Sequence, residues 1–213
     1  MPSVAEIKEV FSHLERGHSP TMLEELAHYT PFQMLIMTML SSRTKDIITI
    51  PIVKDLFTKY KTPRNFLALS FNTLERKLYG IGFYKVKARK VKELSTVILE
   101  QYSGRVPDTF EKLISLPGVG RKTANCILAY TFHKPALAVD THVHRISNRL
   151  GWTRTKTPEE TEEKLRKMVP RDLWHEVNRL FVGHGQTICK PQKPHCTICP
   201  VLKYCTFGRS KVK

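Results

Sequence analysis

The chain has 213 residues, of which 41 % are hydrophobic, and this composition excludes an intrinsically disordered protein. Lysine and arginine number 35 against 19 aspartates and glutamates, so the net charge is +16. This charge favours a polyanionic partner, first of all nucleic acid, over the alternative of a merely basic soluble protein. No apolar run reaches the length of a membrane span, and residues 1–10 lack the apolar core of a signal peptide, so we expect no membrane association.

Apolar residues recur with helical periodicity along the first half of the chain, and the alternation typical of strands is nearly absent. An amphipathic helix is expected over residues 4–16, and a strongly apolar helix begins at Pro31. Another apolar segment begins at Asp46 with Pro51 near its first turn. A further helix is expected over residues 66–78, and a basic helix follows the next glycine-rich loop.

The second half continues in the same pattern. Residues 108–111 have the form of a capping box, which predicts a short helix immediately after them. Gly151 is predicted to end a helix that begins after Asp140, and the pair Thr157-Pro158 is a favourable helix start. The pattern therefore predicts about ten helices, no sheet, and a frayed basic tail from Arg209.

One glycine-rich stretch, residues 116–122, reads Leu-Pro-Gly-Val-Gly-Arg-Lys and lies between two predicted helices. Its glycines permit a tight turn that exposes backbone N–H groups at the start of the second helix, where they can bind a phosphate. An ordinary helix–turn–helix corner would use the same glycines. The DNA contacts predicted for this hairpin come from Leu116, Gly118, Val119, Gly120 and Arg121.

Two side chains near the hairpin carry chemistry. Lys122 falls in the first helical turn, where the helix dipole disfavours a positive charge, and a neutral amine can form a Schiff base with an electrophilic carbon. Asp140 follows an apolar stretch and is predicted to be the N-cap of the next helix. It could also stabilise a developing sugar cation or handle a proton. The alternatives are a phosphate-binding lysine and a purely structural cap.

Four of the five cysteines are close together in the sequence, with the spacing Cys-x6-Cys-x2-Cys-x5-Cys. In a reducing compartment such a group is more typical of a metal site than of disulfides. Four thiolates suit either tetrahedral zinc or an iron–sulfur cluster, and the uneven spacing is less typical of a zinc ribbon. The predicted ligands are Cys189, Cys196, Cys199 and Cys205.

Taken together, residues 116–125, residues 139–142, the pair His184-Gly185 and the cysteine spacing resemble the endonuclease III family over nearly the whole chain. The resemblance implies an all-α fold of two helical domains with a DNA-binding cleft between them. One domain would comprise residues 22–133 with a helix–hairpin–helix motif. The other would join residues 1–21 to residues 134–213 and carry a 4Fe-4S cluster in the cysteine loop 189–205.

The same resemblance implies a function and a mechanism. The protein would be a base excision repair DNA glycosylase with AP lyase (β-elimination) activity on oxidised or damaged pyrimidines in duplex DNA. Lys122 would attack the sugar C1′, Asp140 would assist base expulsion, and His142 would contact DNA. The partner would be double-stranded DNA containing damaged bases or abasic sites. The enzyme would be a monomer in the cytoplasm, or in the nucleus if the source is a eukaryote.

Two positions depart from the family pattern. Arg43 stands where a glutamine commonly fills the space left by the flipped base, and Phe83 stands where a leucine wedge is usual. Arg43 can donate several hydrogen bonds and Phe83 can stack, so both are predicted to bind DNA, with an altered opposite-base preference. The alternatives are a mismatch or uracil-type glycosylase of the same superfamily and a non-enzymatic module that binds damaged DNA.

Overall fold

The computed structural model describes residues 1–212 of the chain. Within this range the structure is all-helical and contains no strand, which confirms the predicted fold class. No helix in the described range is long and apolar enough to cross a membrane. The α-helices, in chain order, are α1 (Val4–Glu15), α2 (Met22–Glu25), α3 (Pro31–Ser41), α4 (Asp46–Lys59), α5 (Pro63–Ala68), α6 (Phe71–Lys77), α7 (Tyr84–Tyr102), α8 (Phe110–Ile114), α9 (Arg121–Cys126), α10 (Thr141–Leu150), α11 (Pro158–Met168), α12 (Trp174–Thr187) and α13 (Thr206–Lys211).

Shorter elements complete the chain. The segment Ile127–Thr131, which directly follows α9, is π-helical, and Arg171–Leu173, Cys196–Ile198 and Leu202–Tyr204 are 3₁₀ turns. The chain divides into two compact units. The continuous unit is Met22–Lys134, and the discontinuous unit combines Met1–Thr21 with the chain from Pro135 onward.

In the continuous unit, α3 forms the centre of the core. Nine of its residues, Phe32 to Leu40, are buried, because the segment is apolar around its whole circumference. Thr30 caps this helix in a capping box with Gln33. Helix α7 packs against α5, α6 and α3, and α9 also contacts α3. Helix α9, which follows the hairpin, is therefore fixed to the same core as α7.

In the discontinuous unit, α1 lays its apolar face on α12, and α10 packs against α11, α12 and α13. Phe11 meets Phe181 edge-on, with ring centroids 6.1 Å apart. Gly151 ends α10 with φ +84°, as predicted. This packing places the start of α10 and the cysteine segment within one unit.

Two predicted details in the continuous unit are wrong in their local structure. Pro51 lies inside α4 rather than in its first turn. The helix tolerates it because the carbonyl group deprived of a partner, that of Ile47, belongs to a residue that is 80 % exposed. The helix predicted over residues 66–78 is broken, since the Ser70 hydroxyl accepts the N–H of Thr73 and starts α6 anew.

Three further predictions are corrected. The short helix after residue 109 exists, but no capping-box bond forms, because Asp108 binds Lys134 Nζ instead at 2.5 Å. The helix predicted after the hairpin becomes π-helical beyond Cys126. The tail predicted to fray from Arg209 is helical to Lys211, since Cys205 Sγ caps α13.

Candidate functional site

The predicted hairpin joins α8 to α9 through a tight turn. Val119 donates its N–H to Leu116 O at 3.1 Å, and Gly118 has φ +80°, so the third position of the turn requires glycine. A Cβ on Gly118 would lie 2.9 Å from Met39 Sδ, whereas a Cβ on Gly120 would meet no atom within 4 Å. Gly118 therefore packs the turn against α3, and Gly120 leaves the start of α9 open to a large ligand.

The hairpin residues predicted to contact DNA differ in exposure. The side chains of Leu116 and Val119 are only 2 % and 6 % exposed, so any contact they make with DNA must come from their backbone. The two glycines and Arg121 are exposed. The Arg121 guanidinium carbon lies 5.1 Å from the centre of the Phe110 ring, which orients this cation beside the turn.

Lys122 is the second residue of α9 and is half-buried. The N-cap of this helix, Gly120, has no side chain that could cap it. The first turn therefore keeps the positive end of the helix dipole, which attracts an anion and disfavours an ammonium group. A lysine in this position is suited to act as an amine nucleophile next to a bound phosphodiester backbone.

Arg43 and Phe83 occupy the loops that precede α4 and α7. Both have left-handed backbone conformations, with φ +54° and +59°. Both are exposed, and the Arg43 guanidinium carbon lies 5.6 Å from the centre of the Phe83 ring. The structure thus brings these two predicted DNA-binding residues together on backbone conformations that cost a non-glycine residue free energy.

Asp140 is the N-cap of α10, as predicted. One carboxylate oxygen, Oδ1, accepts the N–H groups of His142 at 2.9 Å and Val143 at 2.8 Å. The preceding residues are buried, and Asn178 Nδ2 donates to Ala138 O at 2.9 Å. The carboxylate is therefore held in a fixed position by backbone donors on one side and an anchored segment on the other.

Arg145, one turn after His142, links α10 to the segment that contains Cys189. Its Nη2 lies 3.1 Å from His142 Nδ1 and donates to Gly185 O and Cys189 O at 3.1 and 2.9 Å. A Cβ on Gly185 would stand 2.5 Å from His142 Nδ1, so only glycine allows α12 to approach α10 this closely. The predicted DNA-binding His142 is therefore positioned by the same arginine that holds the cysteine segment.

The four predicted ligands, Cys189, Cys196, Cys199 and Cys205, line one cavity of about 20 Å³ and form no disulfide. Burial raises the pKa of Cys199 to about 11, and the charges of the three neighbouring cysteines act in the same direction. Burial also raises the pKa of Cys205. Four thiolates at this place would therefore need a compensating positive charge, such as that of a bound metal group.

Donors around the sulfurs test whether such a group fits. Gly208 donates its N–H to Cys205 Sγ at 3.2 Å, and Arg149 Nη1 donates to Cys189 Sγ at 3.4 Å. Donors of this kind are what thiolate-bound clusters use to tune and hold their sulfurs, so the residues fit the group. In the part of the chain that the structure describes, no three or more His, Cys, Asp or Glu side chains are arranged around one metal ion. The thiolates of an iron–sulfur cluster bind different iron atoms and stand farther apart than the ligands of one ion.

The sequence-based predictions missed the roles of Arg145 and Arg149. Arg149 also donates to Lys190 O and Pro191 O, both at 2.8 Å. Arg145 and Arg149 are four residues apart on α10, which places them on one face of the helix. This spacing is a signal in the sequence that the two arginines act together. His184 is buried against the same site, 3.6 Å from Cys199 Sγ, and burial followed by the charge of Arg145 lowers its pKa to about 4.

Comparison with known proteins gives a consistent result. The model of the family "HhH-GPD superfamily base excision DNA repair protein" matches residues 36–171. Endonuclease III of Thermotoga maritima is 47 % identical over 97 % of this chain and 93 % of that protein. A solved structure of a trapped endonuclease III–DNA covalent intermediate superposes with a TM-score of 0.90, at 34 % identity and full coverage of both chains. A thermostable thymine-DNA glycosylase superposes with a TM-score of 0.84, at 25 % identity and with 96 % and 95 % of the two chains covered.

Proposed function

The chain belongs to the endonuclease III family of the HhH-GPD superfamily, and we propose how its residues perform the reaction of a bifunctional DNA glycosylase/AP lyase. The proposed substrate is duplex DNA that contains an oxidised or otherwise damaged pyrimidine, or an abasic site. The observation that carries the proposal is the position of Lys122 in the first turn of α9, directly after the open hairpin glycine. The proposed active species is a monomer in the compartment that holds the DNA.

DNA binding rests on the charge of the chain and on the hairpin. The net charge of +16 attracts the phosphate backbone, and the open turn at Gly120 lets a phosphate approach the start of α9 closely. Arg121 adds an exposed cation beside the turn. These contacts bind any sequence, so they anchor the duplex without selecting the lesion.

Lesion selection is assigned to Arg43 and Phe83. A base can reach a glycosylase pocket only if it leaves the helical stack. Phe83, 61 % exposed, can enter the stack beside the target, and the guanidinium of Arg43 can bond the base left without a partner. An arginine offers donors only, so it should favour opposite bases that present acceptors.

The covalent chemistry is assigned to Lys122. Its neutral Nζ attacks C1′ of the damaged nucleotide, a C–N bond forms, and the bond from C1′ to the base breaks. The base leaves with the bonding electrons and takes up a proton, and opening of the sugar gives an imine between C1′ and Nζ. Loss of a proton from C2′ then expels the 3′-phosphate oxygen, and water releases the lysine.

Asp140 is assigned an electrostatic role in base expulsion. Positive charge develops on the sugar as the bond to the base breaks, and a fixed carboxylate stabilises it without having to reorganise. Two backbone donors fix the Asp140 carboxylate through one oxygen. The negative charge is therefore presented from a position that does not relax during the reaction.

The four cysteines Cys189, Cys196, Cys199 and Cys205 are proposed to hold a 4Fe-4S cluster. When bound, the cluster supplies a structural cross-link and no chemistry on the substrate. Its support comes from the convergence of the four sulfurs and the donors directed at two of them. Arg145 and Arg149 connect this segment to α10, so the cysteine loop and Asp140 are parts of one rigid arrangement.

Borohydride trapping tests the assignment of Lys122. Borohydride reduces the imine to a stable amine, which leaves the protein covalently attached to lesion DNA. The wild type should be trapped and Lys122→Gln should not. The matched control is Lys112→Gln, which removes the same charge from an exposed position on α8 and should be trapped like the wild type. Equal trapping of Lys122→Gln and wild type would show that the nucleophile lies elsewhere.

One alternative substrate class has a specific observation in its favour, the similarity to a thymine-DNA glycosylase. A panel of duplexes separates the two classes. Oxidised pyrimidines should be released faster than uracil or thymine opposite guanine. The reverse order would keep the mechanism and transfer the substrate to mismatched bases.

A further inference from the structure

One buried lysine in the continuous unit has an environment that DNA binding does not explain. Lys87, on α7, is only 7 % exposed. Its Nζ donates to Leu40 O at 2.9 Å, to Ser42 O at 2.5 Å and to Thr44 Oγ1 at 3.3 Å. None of these three acceptors is a carboxylate oxygen. The three donors of an ammonium group are thus matched by three neutral acceptors.

These acceptors belong to the end of α3 and to the loop that follows it. Carbonyl groups in the last turn of a helix have no partner within the helix and carry its partial negative charge, so an ammonium group binds them favourably. Ser42 and Thr44 are the two neighbours of Arg43. Lys87 therefore bonds both neighbours of the residue assigned to the orphaned base, Ser42 through its carbonyl group and Thr44 through its hydroxyl group.

The same lysine is connected to the second loop through Thr44. The Thr44 hydroxyl also accepts the N–H of Gly82 at 3.1 Å, and a Cβ on Gly82 would stand 2.9 Å from Arg43 O. Phe83 follows directly. The Thr44 hydroxyl group thus joins the loop of Arg43 to the loop of Phe83, and it also accepts a hydrogen bond from Lys87 Nζ.

We propose that Lys87 is a positioning residue for base extrusion, which locks the loops of Arg43 and Phe83 into one rigid pair. This role rests on the DNA-binding assignments of Arg43 and Phe83 given above. Both of those residues need left-handed backbone conformations, which a loop keeps only when its surroundings enforce them. A hydrogen-bond network around a buried ammonium group, in which all three donors are matched, is suited to enforce them.

The burial of this cation is itself costly. Burial, and second the charge of Arg43, lower the pKa of Lys87 to about 8. An apolar side chain of similar length would fill the same space without that penalty. The charged network therefore contributes loop geometry rather than stability alone.

The chain offers a matched control on the same helix. Lys92, also on α7, donates through Nζ to Leu67 O at 2.8 Å and to Leu69 O, where α5 ends. Lys87→Met and Lys92→Met thus remove the same charge and the same type of helix-end contact. Of these two lysine side chains, only that of Lys87 bonds the loop of Arg43, and it is connected to the loop of Phe83 through the Thr44 hydroxyl group.

The test measures single-turnover base release from two duplexes, one with the damaged pyrimidine paired and one with it opposite an abasic-site analogue. In the second duplex the lesion is already unpaired, so extrusion costs less. Lys87→Met should lose about tenfold or more on the paired lesion, which corresponds to the loss of about 1.4 kcal/mol of transition-state stabilisation. It should lose less than about threefold on the unpaired lesion, and Lys92→Met should stay within about threefold on both.

Two results would overturn the role of Lys87. One is a Lys87→Met defect no larger than that of Lys92→Met, and the other is an equal defect on both duplexes. Thr44→Val, which removes the shared hydroxyl group but leaves the lysine, should show the same pattern with a smaller loss, and it decides the question if Lys87→Met does not fold. Borohydride trapping of wild type at an abasic site tests the proposed function separately, because it does not depend on extruding a paired base.

Discussion

Replacing Asp140 separates the two roles assigned to its carboxylate. The side chain caps α10 by accepting two backbone N–H groups on one oxygen, at 2.9 and 2.8 Å. Asparagine keeps an acceptor oxygen in the same place and is as good an N-cap as aspartate. Asp140→Asn therefore removes the negative charge and preserves the cap, whereas Asp140→Ala removes both.

The expected magnitudes follow from these contacts. Loss of an N-cap costs about 0.5–2 kcal/mol, and the two short bonds to a charged acceptor place Asp140→Ala at the upper end of that range. Asp140→Asn should change the free energy of unfolding by less than about 0.5 kcal/mol. Loss of a carboxylate that stabilises the positive charge developing on the sugar should slow base release by about 10²–10³-fold in both variants.

The assay combines denaturant unfolding with single-turnover base release and trapping at a preformed abasic site. Trapping at an abasic site needs no base expulsion, so both variants should retain it. Thr157→Ala provides the structural control, because Thr157 caps α11 in the same unit by accepting the N–H of Glu160 at 3.2 Å. Thr157→Ala should lower the free energy of unfolding through the loss of an N-cap, as Asp140→Ala does, and keep the full rate of base release.

Two outcomes would refute the reasoning about Asp140. If Asp140→Asn released the base at the wild-type rate, the negative charge would have no part in expulsion. If Thr157→Ala lost base release in proportion to its stability, the effect at Asp140 would be explained by weakening of the unit alone.

Three further predictions concern stability, DNA affinity and metal content. The folded pKa of Lys87 is lowered to about 8 from 10.5, so both states hold the proton below pH 8 and the folded state releases it first as the pH rises. Between pH 7 and 9.5, the free energy of unfolding of wild type should therefore rise by about 1–2 kcal/mol relative to that of Lys87→Met, as measured by denaturant unfolding. A difference between the two proteins that stays constant with pH would contradict the lowered pKa. Gly118→Ala should lose about 1–3 kcal/mol of stability because Gly118 has a positive φ and is closely packed. Gly120→Ala should keep its stability and bind duplex DNA more weakly in a binding titration. Equal stabilities of the two variants would contradict the structural role of Gly118 in the turn. Cys199→Ser should lose bound iron, measured by metal analysis and visible absorbance, while Cys126→Ala keeps it, and zinc in a colourless wild type would reject the cluster.

Local signals in the sequence were sufficient for much of the secondary structure. The N-caps at Asp140 and Thr157 and the C-cap at Gly151 were predicted correctly, because each depends on contacts within one turn of helix. Two of the predictions that failed differ in cause, since one involves a local hydrogen bond and the other a contact distant in the sequence. Ser70 interrupts an apparently continuous helix, and Asp108 leaves its expected cap for Lys134, 26 residues away.

The site shows the same division. The spacing of the hairpin, Lys122 and the cysteines predicts the family from the sequence alone, and the comparisons confirm that family membership. The residues that position those groups were not predicted. The spacing of Arg145 and Arg149 places both on one helix face, but the carbonyl groups that Arg145 bonds lie some 40 residues away and carry no mark in the sequence.

By itself, then, the sequence determined the helical fold, the family, and the residue types proposed for the chemistry, since these depend on periodicity and on short motifs. Only the tertiary structure decided what holds them in place. Lys87 reads as one more cation in a basic helix, yet the fold buries it against three acceptors from another helix and loop. Burial changes the free energy of a charge far more than its position in the chain does, and burial is set by packing between distant segments.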